Sequence, residues 1–165
     1  MLKNEYEKYM QKVLKLSRAL QRDADIPIVA LVVSQHDKIL AIESNMREKH
    51  CDPTAHAEIL ALRTASKKLN TTKLQNCMLF STLEPCIMCA GAILNAQIST
   101  VVFGAFNEKF GAAGSRWDLL RDPLASHHPE VIGGILEEEC SLLLKGFFLR
   151  LRLKSETTTG LFSNR

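Results

Sequence analysis

The chain is 165 residues long (18.5 kDa), 46% apolar and 24% charged, with a formal net charge of +3. These proportions fit one globular domain and exclude a disordered, collagenous or coiled-coil chain. No apolar run approaches the roughly 20 residues of a membrane helix, and the amino terminus, MLKNEYEKYM, mixes charges of both signs without an apolar signal core. A cytoplasmic protein is therefore expected, rather than a membrane or secreted one. Five cysteines in such a chain read as reduced thiols open to a metal, not as a disulfide framework. The pI near 8.6 suits a polyanionic partner without requiring one.

Residues 2–22 place Leu2, Tyr6, Tyr9, Val13, Leu16 and Leu20 three or four apart, which predicts an amphipathic helix. Residues 26–33 and 38–44 are short β-branched runs joined by Gln35, His36 and Asp37, an antiparallel hairpin. Residues 45–54 are polar, carry Pro53 and are expected as a loop. Helical spacing resumes over 55–69 with Ile59, Leu62 and Leu69, and Asp52-Pro53 just ahead suits a helix start. A third strand is expected over 77–82 and a second central helix over 86–96, just after Pro85. A fourth strand over 100–105, a glycine-containing loop over 107–115, a weak fifth strand over 131–135 and a closing helix over 136–154 follow. The polar tail, 155–165, is expected to fray. Helices alternating with strands predict a single α/β layered domain over 1–154.

Two stretches carry reactive side chains, His56-Ala57-Glu58 and Pro85-Cys86-Ile87-Met88-Cys89, each opening a central helix. Thiolate and imidazole are zinc's preferred ligands, and a C-x-x-C at a helix start can aim both sulfurs at one ion. The positive end of the helix also favours the thiolate form. The ligand count separates structure from catalysis, because a structural zinc closes with four protein ligands. Here Cys86, Cys89 and His56 make three, which leaves a fourth place for a water whose pKa such an ion lowers to about 7. Glu58 diverges from His56 by about 200° in a regular helix. It is therefore expected beside that water as a proton carrier rather than on the metal.

Each motif alone has a plainer reading, since buried cysteines serve as small hydrophobes. Order and spacing together point to a catalytic zinc. Cys77 and Cys140 lie in apolar strand and helix contexts and are expected as packing. Cys51, five residues ahead of His56, is the remaining candidate for a fourth ligand and would close the site to water.

H-x-E followed by P-C-x-x-C is the known signature of the zinc nucleobase deaminases. The longer match takes in Asp52-Pro53-Thr54-Ala55-His56-Ala57-Glu58 with Ala61-Leu62-Arg63, and the run T-L-E-P-C-I-M-C-A-G-A over 82–92. Val102-Phe103-Gly104-Ala105 and Gly111-Ala112-Ala113-Gly114-Ser115 extend it. Over residues 6–152 the chain resembles the bacterial tRNA-specific adenosine deaminase family.

That resemblance implies a three-layer α/β/α sandwich of the cytidine-deaminase type with a five-stranded mixed sheet. It implies one Zn2+ per subunit on His56, Cys86 and Cys89, with Glu58 as the proton shuttle. The implied reaction converts the wobble adenosine of an arginine tRNA to inosine, by water addition at C6, protonation of N1 and loss of ammonia. Asn45 would hydrogen-bond the target base, with the Ala57 backbone N–H in the same pocket. A homodimer is implied, and Phe147, Phe148, Arg150 and Arg152 of the closing helix would meet the anticodon stem-loop, as stacking and backbone contacts to splayed bases require. Lys109 and Arg116 would add phosphate contacts.

Read without the resemblance, Asn45 is a turn residue, the phenylalanines cap a core, and the arginines are solvated at a helix C-terminus. Four residues depart from the family's habit: Val29 for a glycine beside the pocket strand, Cys51 for a histidine, Phe106 for a basic residue, and Asn107 for an aspartate near the ribose. Removing that negative charge reduces repulsion of a nucleic-acid backbone, so these positions bear on RNA or DNA stringency. Two other functions share the motifs. A free-base or nucleoside deaminase acting on guanine or cytosine would not need the 111–115 loop or the basic closing helix. A non-catalytic, zinc-stabilised RNA-binding subunit would have no use for Glu58.

Overall fold

A computed structural model describes the backbone of residues 3–20 and 25–160 and the side chains of 4–20 and 25–153. Its elements in chain order are α1 (Lys3–Ala19), β1 (Val29–Ser34), β2 (Ile39–Ser44), α2 (Arg47–His50), α3 (Ala57–Leu69), β3 (Cys77–Leu83), α4 (Ile87–Ala96), β4 (Thr100–Ala105), a 3-10 turn (Leu119–Arg121), β5 (Glu130–Ile132) and α5 (Glu137–Gly160). The five strands form one sheet in the order β2-β1-β3-β4-β5. β1 pairs antiparallel with both β2 and β3, whereas β3–β4 and β4–β5 are parallel. The sheet is mixed, as expected.

Both faces of this sheet are buried, so the strands read as nearly continuous apolar runs. Side chains alternate between two cores. Ala30, Val32, Leu79, Val101 and Phe103 point to the layer that also holds Ala61, Leu62 and Ala65 of α3 and Ala90 and Ile93 of α4. Val29, Leu31, Val33, Phe80 and Val102 point to the layer of Tyr9, Met10 and Val13 of α1 and Cys140, Leu143 and Leu144 of α5. The three-layer α/β/α sandwich follows directly. Gly104 marks the tightest approach: a Cβ there would lie 2.3 Å from the Cys140 Sγ, so α5 settles onto β4 only because this residue has no side chain.

Several expectations need correction. α1 buries Tyr6, Tyr9, Met10, Val13 and Leu14, the i, i+3, i+4, i+7, i+8 stripe of a helix on a sheet. Leu16 falls off that stripe and is 40% exposed, and Leu69, in the last turn of α3, is exposed as well. Leu2 lies outside the described residues. The polar 45–54 segment contains a helical turn, α2. α5 continues past 154 to Gly160, and 161–165 lie outside the described residues. Among the described residues, no helix is long and apolar enough to cross a membrane.

Candidate active site and metal centre

Two helix starts meet at the edge of the sheet. Cys86, three residues past the end of β3, is the N-cap of α4, and His56 is the N-cap of α3; both have extended backbones. An N-cap side chain ordinarily accepts a hydrogen bond from its own first turn. Neither does so here, and the two side chains turn toward each other instead. The His56 Nδ1 lies 3.6 Å from the Cys86 Sγ and 3.5 Å from the Cys89 Sγ, Cys89 standing one turn into α4.

The three donor atoms lie within 4.8 Å of one another and form the metal-competent cluster among the described residues. Their chemistry and spacing fit zinc. Zn–S of about 2.3 Å and Zn–N of about 2.0–2.1 Å at a tetrahedral angle place sulfur and nitrogen about 3.6 Å apart. Cys51 is exposed, at the left-handed C-cap of α2, and stands outside the cluster. It therefore supplies no fourth ligand, and the arrangement is the three-ligand, open one. Cys77 and Cys140 are buried packing residues, as expected.

Charge in the cluster is shared unevenly. The hydrogen bond from Cys89, and then that with His56, bring the Cys86 thiol down to about 4, while Cys89, as donor, is pushed up. His56 is raised chiefly by its bond to Cys86. Glu58, in the first turn of α3, stands outside the donor cluster. Its carboxyl is buried against the Cys89 thiol, and burial pushes it up to about 7, so it holds a proton far more firmly than an exposed glutamate does. Ala57, between them, is the first residue of α3; its N–H belongs to the set that a helix leaves without an intrahelical acceptor.

His56, Glu58 and Cys86 line the floor of a cleft of about 1230 Å3. Asn45 is buried in its wall. The Asn45 Nδ2 donates to the Asp25 Oδ1 at 3.0 Å, and that carboxylate also accepts the Glu48 and Lys49 backbone N–H groups at 2.9 and 3.1 Å. Asp25 thus ties Asn45 to α2, a role that no motif announces. Ile26 and Ile28 line the same wall. Val29 does not: its side chain points into the opposite core, so the cleft's shape is not set by it directly.

Glu84 is the second unannounced carboxylate. Buried beneath the cleft, it accepts the backbone N–H of Asn107 (2.9 Å), Ala113 (2.9 Å) and Ser115 (3.0 Å), and the Ser115 hydroxyl donates to its Oε2. A Cβ on Gly111 would lie 2.3 Å from that Oε2, which explains the glycine. The Ala112 N–H donates to the Pro85 carbonyl at 2.8 Å, and Cys86 bridges to Gly111. The 107–115 loop is thereby fastened to the segment that carries a metal ligand. Asn107 lines the cleft but spends its Oδ1 on the Phe110 N–H at 3.1 Å.

At the far end of the cleft, α5 divides the residues expected to meet RNA. Phe147 is 2% exposed and packs edge-on against Phe148, so it belongs to the core and is unavailable to a substrate. Phe148 and Arg152 line the cleft, whereas Arg150 is exposed outside its lining. Arg47, Lys109 and Lys145 add positive charge to the lining, with Glu108 and Glu137 opposing.

Residues 3–105 match the cytidine and deoxycytidylate deaminase zinc-binding region. A tRNA-specific adenosine deaminase of Bacillus subtilis is 40% identical over 91% of this chain and 92% of its own length. One from Haemophilus influenzae is 40% identical over 96% and 91%. Among solved structures, a tRNA:A34 deaminase from work on A-to-I editing at the wobble position superposes with a TM-score of 0.79, at 34% identity over 83% of this chain and 99% of that one. A guanine deaminase from Nitrosomonas europaea gives 0.74, at 28% identity over 86% and 83%. The chain belongs to the cytidine and deoxycytidylate deaminase zinc-binding family and, within it, to the tRNA-specific adenosine deaminases.

Proposed function

We propose that this protein hydrolyses the wobble adenosine of a tRNA, that of an arginine isoacceptor, to inosine, as a cytoplasmic homodimer with one zinc per subunit and residues 1–154 as its catalytic domain. The observation that carries the reading is a buried carboxyl, Glu58, beside a three-donor cluster that opens on a wide cleft. When bound by His56, Cys86 and Cys89, zinc supplies a water acidic enough to attack at neutral pH.

The residues of the chain do the rest. Glu58 takes a proton from the attacking water and delivers it to N1 as the oxygen adds to C6. It then relays protons to the amine as the C6–N bond breaks and ammonia leaves, so that adenosine and water become inosine and ammonia. Asn45, held by Asp25, hydrogen-bonds the extruded base, and the Ala57 N–H faces the same pocket. A base must leave its stack to reach a buried floor, which suits an unpaired anticodon loop. Asn107, Phe148, Arg150 and Arg152 contact the flanking nucleotides. The 40% identity to tRNA-specific adenosine deaminases, against 28% to the guanine deaminase, favours this over a free guanine or cytosine substrate.

Nucleoside analysis of several tRNAs incubated with the zinc-loaded protein tests the reading. Inosine is expected at the first anticodon position and nowhere else. Free adenosine, guanine or cytosine turned over as fast as an anticodon stem-loop would overturn it.

A further inference from the structure

The rim of the cleft carries three large aromatic side chains that the chemistry above does not use. Phe106, Phe110 and Trp117 all line the cleft, yet they are 46%, 63% and 40% exposed. Large aromatic side chains gathered in one cleft, rather than scattered singly, mark an interaction surface. Phe106 is braced edge-on by the buried Phe103, with ring centroids 5.2 Å apart. Phe110 and Trp117 stand at the two ends of a closed loop: the Trp117 and Arg116 N–H groups both donate to the Gly111 carbonyl, at 3.1 and 3.2 Å. The Arg116 guanidinium lies over the Trp117 ring at 5.2 Å, and Lys109 precedes Phe110 in the cleft lining.

We infer that Phe106, Phe110 and Trp117, with Lys109 and Arg116, form a preformed stacking platform for the unpaired nucleotides next to the reacting one in an RNA substrate. This rests on the tRNA reading above. Aromatic faces interleaved with cations are what single-stranded nucleic acid selects, because every base has a π-face and every linkage an anionic phosphate. Placement favours RNA over a second copy of the chain. The three rings line the same cleft as Asn45 and Glu58, where a strand that brings one base to Glu58 must lie. Rigidity favours it too. Glu84 holds the loop through three backbone N–H groups, so little freedom is lost when a base stacks on it.

Trp117 is the chain's single tryptophan and so reports on the platform directly. Titrating the zinc-loaded protein with an arginine-tRNA anticodon stem-loop carrying wobble inosine, the unreactive product, should quench its emission. The midpoint should equal that from filter binding. Phe110→Leu should raise KM for the adenosine stem-loop about tenfold, with the loss in KM rather than kcat. Phe110 is exposed, so the variant's melting temperature should match that of the unsubstituted protein. Binding and turnover of the stem-loop with unchanged Trp117 emission and an unchanged KM in Phe110→Leu would overturn this inference alone. Emission that shifts with protein concentration in the absence of RNA, together with dissociation of Phe110→Leu to monomers, would assign the platform to a second copy and overturn it as well. A stem-loop that the unsubstituted protein neither binds nor deaminates would sink the tRNA reading itself.

Discussion

At the floor of the cleft, His56, Glu58 and Cys86, with the buried Cys89, come from two helix starts and lie two or three residues apart within each. At the rim, residues 107–115 are held by a carboxylate that lies more than twenty residues away in the chain, and Asn45 by another twenty residues away. The floor is local chemistry on rigid helices, which fixes what reaction is possible. The rim is long-range hydrogen bonding from Glu84 and Asp25, which fixes what can be presented to that floor. Damage to the two regions should therefore separate cleanly in experiment.

The largest separation is expected from Cys89→Ala. Removing a buried ligand should cost the metal, bring deamination below detection and lower the melting temperature, since metal bound only by the folded state stabilises it. Zinc analysis with calorimetry checks this, and a full complement of retained zinc would contradict the ligand assignment. Glu84→Gln should act on the rim alone. Its NH2 must face a backbone N–H that the carboxylate now satisfies, a mismatch of about 1–3 kcal/mol. Amides over 107–115 should exchange faster with deuterium while zinc stays bound; unchanged exchange would deny Glu84 its anchoring role. The smallest effect is expected at the end of α5. Replacing Arg150 and Arg152 together by alanine should flatten the salt dependence of stem-loop binding by about one to two log–log units. An unchanged slope would assign both to a solvated helix end.

The same division explains what was legible in the sequence. The strands and the donor cluster rest on short-range pattern: the β-branched runs over 26–33 and 100–105 read as strands and correspond to Val29–Ser34 and Thr100–Ala105, and His56, Cys86 and Cys89 meet as their motifs implied. The three layers, by contrast, came from the family resemblance. Glu84 and Asp25 were not legible, because a buried carboxylate's partners are backbone groups that carry no residue-type signal. Glu84 closing an apolar strand just before Pro85, with Gly111 downstream, is the trace it leaves. Phe147 and Phe148 are neighbours of one type with opposite fates, decided by helix phase against β4 rather than by composition. Val29, where the family has a glycine beside the pocket strand, stays out of the cleft wall for the matching reason on a strand: a one-residue step reverses the face, and Ile28 holds the cleft side.

The central claim is that Glu58 moves protons without holding the metal. Zinc content and inosine formation measured together on Glu58→Ala test it directly. The zinc complement and the melting temperature should be retained while inosine formation falls by at least about a hundredfold. Loss of zinc along with activity, or turnover that survives the substitution, would contradict it.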